Sequence, residues 1–362
     1  MILSSVKLKS TISSHKPASH GGLYSISNPT LDILDFSSNI NPLGPSPEVV
    51  KTIKNQLNTL QIYPDSDSRV LRKNLQKYTK IPSSQIVVGN GATEIIYNFC
   101  KSFVSKKTPI LIPIPTFGEY EVAAKLAGGK VEFFKTMDLK KDINNFISKI
   151  PSNGCIFICN PNNPTGNLIS KSYLKKIIIA ASKKNTLVFL DECFIELVPN
   201  HNESIIALIR NFDNLFILRS LTKSYGLAGI RIGYGIGTKK MVSILNKIKI
   251  PWNVSGLAQY AGIAAINTDN YLHKAKKIIQ IESEYLKKNI SKLENFYCFD
   301  SVTNFILIKS KLRSSNLQKK LLKKKILVRD CSNFRGLNNY YIRVAVKTRK
   351  ENLRLLQALE EL

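Results

Sequence analysis

From about residue 85 the chain alternates short apolar runs with stretches whose apolar positions recur at helical spacing. The runs at 85–88, 110–112, 130–134, 155–159, 186–190, 215–218 and 232–236 have the length and residue types of strands, and intervals such as 171–182 read as amphipathic helices. Strands alternating with helices require crossover connections, which predicts a mostly parallel central sheet flanked by helices. After Trp252 the pattern changes to long helices at 255–267 and 271–293. Shorter strands follow at 304–308, 326–329 and 341–346, then a closing helix at 349–362. We therefore expect an α/β protein in three segments: an arm at 1–45 that also joins the smaller unit, a large α/β domain at 46–255, and a small α+β domain at 256–362.

Composition alters this picture little. Lys and Arg number 53 against 25 acids, a formal charge of +28, yet the lysines are scattered along helical patterns without a basic tail or a nucleic-acid-binding motif. No nucleic-acid partner is expected, although the surplus would attract anionic substrates. No apolar run reaches the ~18–20 residues of a membrane span. The cysteines, Cys100, Cys155, Cys159, Cys193, Cys298 and Cys331, show no metal-ligand spacing. That points to no metal and to a reducing, cytoplasmic setting. The first 22 residues lack an apolar secretory core and read as an unstructured arm leading into an ordered His20-Gly21-Gly22.

The chemistry is concentrated where strands are expected to end. Lys223 lies in Arg219-Ser220-Leu221-Thr222-Lys223-Ser224-Tyr225-Gly226, with Arg231 downstream. A lysine that attacks an aldehyde needs desolvation and positive neighbours to keep its amine neutral. A phosphate dianion needs hydroxyls, a guanidinium and free backbone N–H groups. Asp191 ends an apolar run 32 residues before Lys223. A lysine for the aldehyde and a carboxylate for the pyridinium nitrogen together meet the needs of pyridoxal phosphate. Gly91, Ala92 and Thr93 follow a strand and open a helix, so their N–H groups suit a phosphate. The turn Asn160–Gly166 offers Asn163 as an amide donor, and Phe117 offers a ring for stacking.

In this order and spacing the chain resembles the fold-type I pyridoxal-phosphate enzymes of the aspartate aminotransferase superfamily over nearly its whole length. Within them it is similar to the histidinol-phosphate aminotransferases and the threonine-phosphate decarboxylases. Both share Asn39-Ile40-Asn41-Pro42-Leu43-Gly44, Tyr63-Pro64-Asp65, Gly89-Asn90-Gly91 and paired C-terminal arginines. Several segments tilt the likeness toward the decarboxylase family: His20-Gly21-Gly22, the run from Asp35-Phe36-Ser37-Ser38-Asn39 to Gly44, Pro251-Trp252-Asn253-Val254, and Arg329-Asp330-Cys331-Ser332-Asn333-Phe334-Arg335-Gly336-Leu337 with Arg343 in the strand after it. Phe194 stands where aminotransferases usually carry a tyrosine.

The resemblance implies roles. Lys223 would hold the cofactor covalently and move protons, and Asp191 would keep the pyridinium protonated. Phe117 would stack on the ring and Asn163 donate to its phenolic oxygen. Gly91, Ala92, Thr93, Ser220 and Arg231 would hold the cofactor phosphate, joined by Tyr63 of a second copy in a homodimer. His20, Asn39, Arg329 and Arg343 would bind a small phosphorylated amino-acid substrate. The implied reaction is decarboxylation of L-threonine O-3-phosphate in cobalamin synthesis, with histidinol-phosphate transamination as the alternative. The bond that breaks is the one held perpendicular to the cofactor ring, and both substrates are phosphate esters, so paired arginines do not separate the two.

Overall fold

A computed structural model describes residues 10–13, 15–199 and 203–362. After the short strand β1 (Leu34–Asp35) comes a seven-stranded sheet: β2 (Ile86–Asn90), β3 (Pro109–Ile114), β4 (Lys130–Lys135), β5 (Cys155–Cys159), β6 (Leu187–Asp191), β7 (Leu215–Ser220) and β8 (Ile232–Ile236). Their spatial order is β2-β8-β7-β6-β5-β3-β4, and all neighbours pair in parallel except β8, which is antiparallel to β2 and β7. The mostly parallel sheet expected from the pattern is present, each strand within a few residues of its apolar run. Strand β5, Cys-Ile-Phe-Ile-Cys, is buried at every position, as a strand covered on both faces must be. One covering helix, Lys171–Lys183, buries Leu174, Ile177, Ile178 and Ala181 along a single stripe.

The C-terminal sheet contains β9 (Phe296–Cys298), β10 (Phe305–Ser310), β12 (Arg329–Asp330) and β13 (Tyr341–Ala345), in the order β12-β13-β10-β9. The single strand expected at 326–329 is divided. Its first half, β11 (Ile326–Leu327), pairs in parallel with β1, whereas β12 pairs with β13. The chain changes partner at Val328, and Arg329 thereby comes to lie opposite Arg343. Phe36, just after β1, packs into the same apolar core as Leu286, Ile306, Val344 and Leu355. Strand β9, only three residues long with an exposed centre, was too short to register as a pattern. Helices Pro47–Asn55 and Arg69–Thr79 precede the large sheet, the first capped by Ser46, whose side chain accepts from Val49 N.

Of the expected unstructured arm, residues 1–9 and 14 lie outside the described residues. Residues Ser10–Ser13 make one helical turn, and Ser19 and His20 are tied to the rest of the protein by hydrogen bonds. Among the described residues no helix is long and apolar enough to cross a membrane.

Beneath the sheet's ligand-facing edge lies a buried ionic cluster. Arg219 on β7 donates to Glu192 at 2.9 Å and to Glu196 at 3.3 Å, and Tyr78 donates to Glu196 at 3.1 Å. All three charged groups are buried, so removing the cation strands two carboxylates in a poorly solvated place. Arg219→Ala should therefore lower the unfolding free energy by roughly 3–5 kcal/mol in urea titration. A loss below about 1 kcal/mol would mean that the cluster does not hold the strands β6 and β7 in place.

Candidate active site

Strands β2 to β7 run in one direction and β8 in the other, so one edge of the sheet collects the C-terminal ends of the former and the N-terminal end of β8. Ligands bind at that edge in open α/β sheets. It carries Asn90, Ile114, Cys159, Asp191 and Ser220, with Arg231 immediately before β8. Above it opens a cavity of about 1360 Å³. Lys223, Asp191, Asn163, Phe117, Ala92, Thr93, Ser220, Arg231, His20, Asn39, Arg329 and Arg343 all line it.

Two predicted residues stand elsewhere. Gly91 lies just behind the wall with φ of +76°, and a Cβ there would come within 2.5 Å of Arg231 Nη2. That φ strains any other residue, and a Cβ would also displace the guanidinium from the helix start. Tyr63 is 80% exposed, away from the cavity, and packs on Trp252 with ring centroids 5.0 Å apart.

The floor is built for a cation near Asp191. This carboxylate ends β6, is buried, and accepts hydrogen bonds from Tyr120 Oη at 2.6 Å and Cys193 N at 2.8 Å. Burial raises its pKa despite those donors, so a protonated ring nitrogen would be a stabilising partner. Tyr120 is itself fixed by stacking on Phe157, with centroids 5.6 Å apart. Lys223 sits in the short helix Leu221–Ser224 directly after β7, and its backbone carbonyl accepts from Asn41 N at 3.0 Å. Burial, with Arg343 and Arg231 nearby, lowers the pKa of its amine to about 8.

Beside it is a cradle for a phosphate. Helix Gly91–Phe103 begins with Ala92 and Thr93 facing the cavity. Its start is packed so closely on β8 that a Cβ at Gly233 would fall 2.7 Å from Ala92 N. Free N–H groups, the Ser220 hydroxyl and Arg231 converge there, the donor set that a phosphate dianion takes.

At the far end, Arg329 and Arg343 are register partners on β12 and β13. Arg343 donates to Asn163 Oδ1 and, at 2.7 Å, to the Ser37 carbonyl. The contact directs the Asn163 oxygen to Arg343 and leaves its NH₂ as the free donor. Arg329 donates to Asn333 Oδ1 at 3.0 Å and to the Ser19 carbonyl at 2.6 Å. Burial lowers both guanidinium pKa values, that of Arg343 to about 10, so both stay charged at neutral pH. Two polar atoms here are buried without a hydrogen-bond partner, Arg343 Nε and Asn39 Oδ1. A bound ligand can satisfy groups of this kind.

Residues 31–359 match the family described as aminotransferase class I and II. The chain belongs to that family. Its members depend on pyridoxal 5′-phosphate, which is the cofactor here, and the desolvated lysine, the phosphate cradle and the buried carboxylate fit it. A relative from Caldanaerobacter subterraneus, provisionally named threonine-phosphate decarboxylase, is 38% identical, covering 96% of this chain and 94% of its own. The crystal structure of histidinol-phosphate aminotransferase from Clostridium acetobutylicum superposes with a TM-score of 0.84 at 34% identity, covering 91% of this chain and 98% of that one. That of L-threonine-O-3-phosphate decarboxylase from Porphyromonas gingivalis superposes at 0.81 and 28%, covering 91% and 99%.

Sequence reasoning missed parts of this site. Asn333, which holds Arg329, stood inside a motif singled out for other residues, and Glu119 and Tyr120 stood beside Phe117, the residue chosen there. Glu119 holds His20 and is itself held by Tyr97, contacts that join distant segments and gave no signal.

The low amine pKa gives a test that needs no turnover. Below about pH 8 the Lys223 amine is protonated and above it neutral. Capture of pyridoxal phosphate by the apoenzyme, followed by visible absorbance, should therefore accelerate up to about pH 8 and then level off. Acceleration continuing toward pH 10 would mean that the amine is not desolvated, and Lys223→Ala should give no bound chromophore.

Proposed function

We propose that the chain is a threonine-phosphate decarboxylase: L-threonine O-3-phosphate loses its carboxylate as CO₂, a proton takes its place on Cα, and (R)-1-amino-2-propanol O-2-phosphate is released for cobalamin synthesis. One observation carries the reading. The two segments that most resemble that family, His20-Gly21-Gly22 and Arg329–Phe334, lie 310 residues apart between Ser19 and Arg329, yet they meet at the cavity. The Ser19 carbonyl accepts from both Arg329 (2.6 Å) and Asn333 (3.2 Å).

In this reading the cofactor supplies an electron sink for the bond that breaks at the substrate's Cα. Lys223 provides the amine that holds the cofactor aldehyde and later carries the proton delivered to Cα. Asp191 would keep the pyridinium protonated, Phe117 would offer its ring for stacking, and Asn163 would donate to the phenolic oxygen. Ser220, Arg231 and the N–H groups of Gly91, Ala92 and Thr93 would bind the cofactor phosphate. Arg329 and Arg343, with His20 and Asn39, would hold the substrate's phosphate and leave its carboxylate unclamped. Phe194, edge-on to Phe305 at 5.2 Å, brings no hydroxyl to the cofactor.

A second copy completes the site. Leu60, Ile62, Tyr63, Ile250 and Trp252 are all exposed apolar side chains. In a homodimer of this cytoplasmic enzyme they are covered, and Tyr63 reaches the partner's cofactor phosphate. Histidinol-phosphate aminotransferase is the second reading, favoured by the likeness to the Clostridium acetobutylicum structure.

Purified holoenzyme given L-threonine O-3-phosphate without a keto acid should release CO₂ in step with aminopropanol phosphate. If CO₂ is absent and turnover requires histidinol phosphate plus 2-oxoglutarate, the aminotransferase reading replaces this one.

A further inference from the structure

The N-terminal arm is fastened to the cavity through a buried carboxylate that is not part of the cavity wall. Glu119 opens helix Glu119–Leu126, is 5% exposed, and does not line the cavity. Its two oxygens take different partners: Oε1 lies 2.6 Å from His20 Nε2, and Oε2 accepts from Tyr97 Oη at 2.6 Å. His20 does line the cavity, and its ring is 5.8 Å from that of Phe117. An ionised carboxylate only accepts, so Nε2 carries the proton and Nδ1 is the ring nitrogen left for a ligand. One residue before His20, the Ser19 carbonyl lies on Arg329 and Asn333.

We propose that Glu119 is a positioning residue for substrate recognition, fixing His20 and the adjoining arm against the arginine end of the cavity. A histidine on an irregular arm would otherwise lose rotamer and backbone freedom each time substrate bound. Holding it beforehand, through a charge-assisted bond to a carboxylate that is itself held by Tyr97, moves that loss out of the binding step. The inference rests on the reading that Arg329 and Arg343 take the substrate's phosphate. It applies equally to either phosphate ester.

The test compares holoenzyme with Glu119→Gln, His20→Ala and the double variant, assayed with whichever phosphate ester the unaltered enzyme turns over. Hydrogen exchange of residues 15–24 is followed in parallel. Gln at 119 fills the same space but offers only one acceptor to two donors. Glu119→Gln should raise KM about tenfold, change kcat less than about twofold, and speed exchange in the arm. The double variant should bind no worse than His20→Ala, because both changes remove one interaction. Unchanged KM in Glu119→Gln, losses that add in the double variant, or a fall in kcat as large as the rise in KM would each overturn the proposal. If the unaltered enzyme acts on neither ester, the functional reading fails by itself. The arm then decides: unchanged exchange in Glu119→Gln overturns the positioning role, and faster exchange supports it.

Discussion

Arg329 and Arg343 face each other across two antiparallel strands, both nearly buried, and neither makes an ion pair among the described residues. Like charges placed so close repel, and burial deepens the penalty. Asp330 and Asp35 act on them without forming an ion pair, and the groups in direct contact are neutral dipoles and ring faces. The carbonyls of Ser19 and Ser37, the amides of Asn163 and Asn333, and the rings of Phe334 and Phe305 surround the two guanidinium groups. Unmatched positive charge is therefore a built-in property of the cavity. It helps lower the Lys223 amine into a range where it is a usable nucleophile.

The sheet decides where that charge lies. Strand direction brings Asp191, Ser220 and Arg231 to a common edge, and the division at Val328 swings Arg329 into register with Arg343. The segment after β1 links the C-terminal core to that edge. Phe36 belongs to the C-terminal core, while Asn39 and Asn41, a few residues on, reach the cavity and the Lys223 helix. The ionic cluster of Arg219, Glu192 and Glu196 ties β6 to β7 just behind the residues that would hold the cofactor.

Much of this was legible in the sequence because the chemistry sits at punctuation. Asp191, Lys223, Asn163 and the Gly91–Thr93 turn each follow an apolar run, where the pattern breaks and a polar residue must have a reason. Arg329 and Arg343 were legible as residues, but their opposition was not, since nothing in the run at 326–330 shows that its first half pairs with β1 and its second with β13. The anchoring of the arm was illegible for a different reason. His20 and Glu119 are 99 residues apart, and a carboxylate beside an aromatic pair looks like any first-turn helix acid until the fold supplies Tyr97. Tyr63 had a role by resemblance alone; the single chain leaves it on an open surface.

The proposed function turns on the arginine end reading a phosphate ester and not merely an amino acid. The most direct measurement is a coupling cycle. L-Threonine O-3-phosphate and plain L-threonine are titrated into the holoenzyme and into its Arg329→Met variant, with binding followed by the cofactor's visible spectrum. The account predicts that loss of the substrate phosphate weakens binding to the unaltered enzyme far more than to the variant, a coupling of about 2 kcal/mol or more. Equal losses in both proteins would place the phosphate away from Arg329 and contradict the account.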